Sequence, residues 1–389
     1  MPLAHRGCAR YGLRVPMHPE APEPRATIRS CPTDFQVEEL PLYEPSGQGG
    51  HVFLRLRKTG WSTPACVRRL AKFLHIDEDG FGHAGMKDRH AVTIQTLSFP
   101  WPEPSPLPAF EDLAPEGIEV LRAERNPQKL RVGHLAGNRF ALILRNLTGD
   151  EPALASQLES LRLTGVPNAF GPQRFGRDGD NPERTLAWLR GNTRGPRDKR
   201  VRRLLVSSVQ SWLFDRLLAR RVADGTWSTV VEGDLVKTLD RGGLFLTEDP
   251  TEDARRALAG EVSATGPIFG PRMRWPEGEP ARWEKEVLEE ALGGQDALET
   301  LGKVGAGSRR ALRVLPADME FQFSRDADER LTLALTMTLP KGAYATTVLG
   351  SVFALHDASI SEGVASNTGT MADSSSHDEL LRDREPSSR

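Results

Sequence analysis

The run AGMKDRHAVTIQ, residues 84–95, sets one carboxylate, Asp88, between two cations, Lys87 and Arg89, just ahead of an apolar, β-branched stretch. A carboxylate so placed can act as a nucleophile or base, because nearby cations favour the ionised form that such work needs. The bland reading is a solvated turn leading into a strand. Little else in the chain competes for chemistry. The nine histidines form no HExxH or HxxxH pair, and the three cysteines (Cys8, Cys31, Cys66) are widely spaced with no CxxC, so they read as reduced thiols rather than a disulfide framework or zinc site. DEDG at 77–80 and RDGDNPE at 177–183 resemble calcium loops only until Phe81 and Pro182 fall where a third oxygen ligand belongs. With no GxGxxG or GxxxxGK[ST] run either, neither metal nor nucleotide cofactor is expected.

Elsewhere the charge points to a polyanion. From Asp357 onward seven acidic residues face three arginines, a local balance of −4, which leaves +2 on the rest of a chain whose net charge is −2. That acidic stretch, rich in Ser and Gly and without apolar periodicity, reads as a disordered tail over 357–389. RGNTRGPRDKRVRR, residues 190–203, holds seven cations against the single acid Asp198. Such a run attracts phosphates by counterion release, or is simply a solvated helix start and the loop before it. No apolar stretch is long enough to span a bilayer, and the N-terminus lacks a secretory h-region, so the expected place is the cytoplasm.

The elements around Asp88 follow from periodicity. TDFQVEEL and HVFLRLRK alternate as half-buried strands do. STPACVRRLAKFLHI reads as a helix with Thr63 as N-cap, Pro64 at its first position and Val67, Leu70 and Leu74 inward. AVTIQTLSF has strand composition, which puts Asp88 on the loop before a strand. KLRVGHLAGNRFALILRNL reads as two strands joined by a turn at Gly137 and Asn138, and a helix follows over about 152–163, closed by Gly165. After VPNAFGPQRFG the texture is helical, then weakly periodic from about Gly225 to Gly307. RLTLALTMTLP, with Leu331, Leu333, Leu335, Met337 and Leu339 on one side, reads as a central antiparallel strand. At 389 residues two domains are expected, and strands at both ends of a helix-rich middle suggest that one interrupts the other.

Six segments, in order over roughly residues 25–356, resemble the successive motifs of the tRNA pseudouridine synthase D (TruD) family: RSCPTDFQVEE, GMKDRHAVTIQ, GHLAGNRF, VPNAFGPQRFG, SSVQSWLFDRLLARR and LPKGAYATTVL. The resemblance implies an α+β fold: a pseudouridine-synthase-type catalytic domain with a mixed, largely antiparallel sheet, over 1–163 and 315–356, interrupted by an inserted α/β TRUD domain at 164–314. It implies a cofactor-free, metal-free isomerase that converts uridine to pseudouridine in tRNA, at nucleotide 13 in the best-known bacterial members. A monomer is expected.

The family nucleophile falls on Asp88, and a cation that pairs with it falls on Arg29. The base-stacking phenylalanine falls on Phe140, for which strand packing is the competing reading, and Asn138 is a polar support of the pocket. Lys87 beside the nucleophile and Arg174 in FGPQRFG, a phosphate contact or part of a rigid hinge, complete the expected substrate set. Lys341 and Tyr344 match the last motif, but Gly350 and Ser351 stand where the family has Arg-Glu. The carboxylate's step stays open: attack at C1′, attack at C6, or assisted departure of uracilate. A tRNA-binding and folding protein without catalysis, and a nucleoside hydrolase, are the readings of other classes.

Overall fold

The protein is described from a computed structural model at residues 24–110, 117–176, 178–240, 242–292, 301 and 305–360. In chain order the first arm runs β1 (Arg25–Ile28), β2 (Phe35–Pro41), β3 (His51–Thr59), α1 (Thr63–Leu74), β4 (Gly82–His83), β5 (Val92–Pro100), β6 (Ile118–Asn126), β7 (Leu135–Leu144) and α2 (Glu151–Thr164). The middle holds β8 (Val166–Pro167), α3 (Asn181–Leu189), α4 (Lys199–Ala223), β9 (Leu235–Thr238), β10 (Leu244–Leu246), α5 (Pro250–Leu258), β11 (Val262–Ile268), α6 (Gly278–Leu292), β12 (Ser308–Ala311) and β13 (Arg313–Val314). β14 (Ala317–Arg325), β15 (Leu331–Pro340), α7 (Ala345–Leu349) and β16 (Ala354–Asp357) close the chain.

Both arms build one open sheet of order β14-β15-β7-β2-β5-β3-β6, with β4 added beside β5. Among the described residues its one parallel pairing is β2 with β5, so the sheet is mixed and largely antiparallel, as expected. Between the arms, the chain makes a four-stranded sheet of order β10-β9-β11-β12 among α3 to α6, entered and left through the short β8–β13 ladder.

Paired residues in register share a face. One such row, Met337, Phe140, Val37, Thr93 and Lys58, crosses five strands of the large sheet. On that face the apolar alternation of β15 packs with Leu154, Leu158 and Leu161 of α2, while Leu54, Leu56 and Leu97 pack with Val67, Leu70 and Leu74 of α1. Between these two cores lies a polar seam of buried Lys58, Thr93, Gln95 and Glu39. Burying such groups is costly unless each is bonded, so the seam is where a functional explanation is due.

Three expectations need correction. The helix is capped by Ser62, whose hydroxyl accepts from Ala65 N; Thr63 is buried and serves another purpose, described below. Gly137 and Asn138 are not a turn but lie within β7: the turn comes earlier, where His134 N donates to Arg131 O, and Gly133 takes φ +88°. Gly137 is there for close approach, since a Cβ would sit 2.4 Å from Leu339 O. Finally, Asp357 does not begin a tail. It ends β16, which pairs in parallel with β1. A four-residue strand with no alternation gives sequence periodicity nothing to register. The rest of the expected tail, 361–389, lies outside the described residues, as does Cys8; Cys31 and Cys66 are free thiols.

Candidate active site

Asp88 is held by the loop that carries it. The Thr63 hydroxyl at the start of α1 accepts Lys87 N at 2.9 Å and donates to Gln95 Oε1 at 3.0 Å, while Gln95 Nε2 donates to Gly85 O at 2.7 Å. Ala84 O accepts from Gly133 N. From below, Lys58 Nζ donates to Trp61 O at 2.6 Å and to the main-chain oxygen of Asp88 itself at 3.2 Å. The side chain then completes an Asx turn, its Oδ1 accepting His90 N at 3.0 Å. Its Oδ2 faces Arg29 Nη2 at 2.9 Å, and the carboxylate stays 37% exposed, open to a substrate while paired.

Arg29 is 11% exposed and lies between two carboxylates, with Nη1 at 2.6 Å from Asp357 Oδ2. Its guanidinium lies 3.9 Å above the Phe35 ring, and Phe35 meets Phe140 edge-on at 6.2 Å. Asp88, Arg29 and Phe140 are thus brought together through Phe35, which sequence reading had not singled out. The approach to this corner is fixed by Asp34, buried beneath Arg145 and joined to it by two bonds of 2.7 and 2.8 Å. Phe140 itself is 7% exposed and belongs to the core, so here it packs rather than presents a free face.

Lys87 departs from expectation. Its ammonium is bonded to Glu39 at 2.7 Å, with both side chains buried, and Glu39 also accepts Thr96 N. The charge of Lys87 is engaged there, rather than offered to Asp88 or to a substrate, while Arg89 is exposed. Asn138 pairs across the strands with Glu39, and its Oδ1 is buried without a partner. Lys87→Met should therefore act first on folding: leaving Glu39 buried and unpaired costs about 3–5 kcal/mol. Urea unfolding would read this, and adding Glu39→Leu should recover part of the loss; an unchanged midpoint would show the pair to be ornamental.

Arg174 belongs to a different cluster. Its Nε donates to Ser211 at 3.1 Å and its Nη2 to Ser207, which also explains the polar face of α4. Gln210 of the same helix donates to Phe269 O. Nearby, Arg310 lies 4.1 Å over Phe170 and donates to Asn168 Oδ1 and to Gly342 O, tying the middle unit to the LPKGAY segment. Asp215 accepts Phe170 N; burial pushes its carboxyl up to about 8 against the pull of that bond and of Arg310. These bonds suit the rigid-junction reading of FGPQRFG. Lys341 donates to Gly133 O, and Gly350 closes α7 through its N–H to Thr346 O. Among the described residues, no cluster of His, Cys, Asp or Glu could hold a metal ion, and no helix is long and apolar enough to cross a membrane.

Comparison with known proteins fits this arrangement. The profile of the family described as tRNA pseudouridine synthase D (TruD) matches residues 19–183 and 197–352. The tRNA pseudouridine synthase D of Anaeromyxobacter sp. (strain Fw109-5) is 42% identical over 339 residues, covering 85% of this chain and 93% of that one. That of a Thermus thermophilus strain is 41% identical over 326 residues, covering 84% and 88%. A crystal structure of the protein assigned as tRNA pseudouridine synthase D (TruD) in Methanosarcina mazei has the same fold, with a TM-score of 0.64 at 22% identity over 86% of this chain and 94% of that one. With a profile that spans both arms of the large sheet and the unit between them, and relatives this similar along most of their length, the chain belongs to the tRNA pseudouridine synthase D (TruD) family.

Proposed function

We propose that this chain isomerises uridine to pseudouridine in tRNA, at nucleotide 13, with Asp88 as the attacking carboxylate. The observation that carries the reading is the 2.9 Å pair between Asp88 and Arg29, on a loop anchored from three sides yet open to substrate. The reaction breaks the C1′–N1 bond and forms C1′–C5; the hydrogen on C5 leaves to water and N1 gains a proton. Electrons are conserved, so no redox cofactor enters. Arg29, 2.9 Å away, holds the carboxylate aimed, whether it attacks C1′ or C6. The target base must leave its stack to reach it. Its place is against the exposed Asp88 carboxylate, with the buried Phe35 and Phe140 rings supporting Arg29 from the core side.

The RNA itself is met by the start of α4, in the cytosol. Arg194, Arg197, Lys199, Arg200 and Arg203 are exposed there, and none has an acidic partner among the described residues. Other arginines of the middle unit are paired: Arg216 and Arg220 with Glu290 and Glu286, Arg255 with Glu252, Arg282 with Glu279. Unpaired cations are the ones free to exchange salt for phosphate. Replacing Arg197, Arg200 and Arg203 with alanine should flatten the slope of log affinity against log salt by roughly 2–3. An unchanged slope would remove this surface from RNA binding.

The isomerisation is tested with tRNA carrying tritium at uridine C5. Release of tritium to water is expected; release of labelled uracil would mean a hydrolase, and release of neither would refute catalysis.

A further inference from the structure

We propose that Asp357 is a positioning residue for this reaction: acting through Arg29, it fixes the guanidinium at the angle from which the other Nη group meets Asp88. The inference rests on reading Asp88 as the nucleophile. Arg29 follows β1 with φ +56°, a left-handed conformation that a residue with a side chain adopts only where its surroundings impose it. What imposes it is the last strand. β16 pairs in parallel with β1, and Ile28 faces Asp357 in register, so the residue after Ile28 is delivered beside the Asp357 carboxylate.

Asp357 is itself immobilised. Its Oδ2 takes Arg29 Nη1 at 2.6 Å, while its Oδ1 accepts Ser359 N at 3.1 Å and Ser359 Oγ at 2.6 Å. Arg29 Nε is buried with no partner. Its hold therefore consists of two carboxylates and the face of Phe35, and removal of Asp357 leaves one carboxylate and one ring. An arginine held at one carboxylate can pivot, whereas one held in a fork cannot, and catalytic geometry lost by such pivoting is expensive. Asp357 lies beyond residue 352, where the family match ends, so this hold on the nucleophile comes from outside the motifs that define the family.

A double-mutant cycle on the full chain tests this, with tritium release read as kcat and KM for tRNA and with thermal melting beside it. Asp357→Ala should lower kcat about 10- to 100-fold, the scale on which supports of a reacting group act, and leave KM within about twofold. Asp357→Asn, which keeps the shape and the Ser359 bonds, should show most of the same loss with little change in melting. In an Arg29→Ala background, Asp357→Ala should cost nothing further. Full kcat in Asp357→Asn, or equal losses with and without Arg29, would overturn the inference. Asp88→Asn is run in parallel: if it stays active, the nucleophile reading fails; if it is dead while Asp357→Ala is fully active, only the inference about Asp357 does.

Discussion

Asp88→Asn should abolish tritium release from C5-labelled tRNA, lowering kcat by at least about 10^3-fold, the scale seen when a group acting on the reacting centre itself is removed. The substitution is nearly isosteric. An amide oxygen can still accept His90 N, the bonds from Thr63, Gln95 and Lys58 to the loop backbone are untouched, and Arg29 keeps Asp357. What disappears is the negative charge and its nucleophilic lone pair. Because the unpaired cations lie at the start of α4, on another element, the affinity for tRNA should stay within about threefold, well under 1 kcal/mol. Activity within tenfold of the unaltered protein would take the catalytic role away from Asp88.

The second large effect is expected beneath the same loop, and with opposite signs in two measurements. Lys58 is wholly buried and bonds only to main-chain oxygens, those of Trp61 and Asp88. Burial lowers its ammonium to about 8, against the favourable pull of Cys66 and Asp88. A cation whose folded value lies below its unfolded one of 10.5 destabilises the fold wherever it is charged in both states, by a few kcal/mol here. As pH rises from 8 toward 10.5 the folded protein sheds this proton before the unfolded chain does, so its contribution to stability rises. The buried Cys66 thiol, pushed up to about 11, pulls the other way above pH 9, which leaves pH 8–9 as the clean window. Lys58→Met should therefore keep or raise the melting temperature at pH 7 and lose the rise across that window, while kcat falls at least about tenfold as the loop loses its brace. A collapse of stability at pH 7 would show that the lysine is retained for folding instead.

Much of this site could be read in the sequence, and the remainder shares a physical cause. Asp88, Arg29 and Phe140 stood out because they fall in motifs that resemble the family's, and the fold sets Arg29 against Asp88 and Phe140 behind Phe35. β15 was reachable because five apolar residues alternate without a break. Lys58, Glu39 and Asp357 were not, because each earns its place through a partner far along the chain: Asp88, Lys87 and Arg29 respectively. In a linear reading Lys58 is an ordinary polar residue near the end of an alternating strand, and its burial becomes evident only when α1 and the 84–91 loop close over it. Lys87 was misread for the same reason, since adjacency to Asp88 says nothing about where a long side chain ends. The elements between β9 and β12 escaped because a small sheet wrapped by helices buries most residues of β11 on both faces, which erases the period of two.

The pairing of β1 with β16 has an outcome for the protein as it is made. A ribosome emits Arg29 long before Asp357, so a nascent chain carries Asp88 and Arg29 together before the strand that completes the arginine's hold has been made. The contact thus ties together segments 328 residues apart, and a chain cut before β16 would leave Arg29 with only one of its two carboxylates.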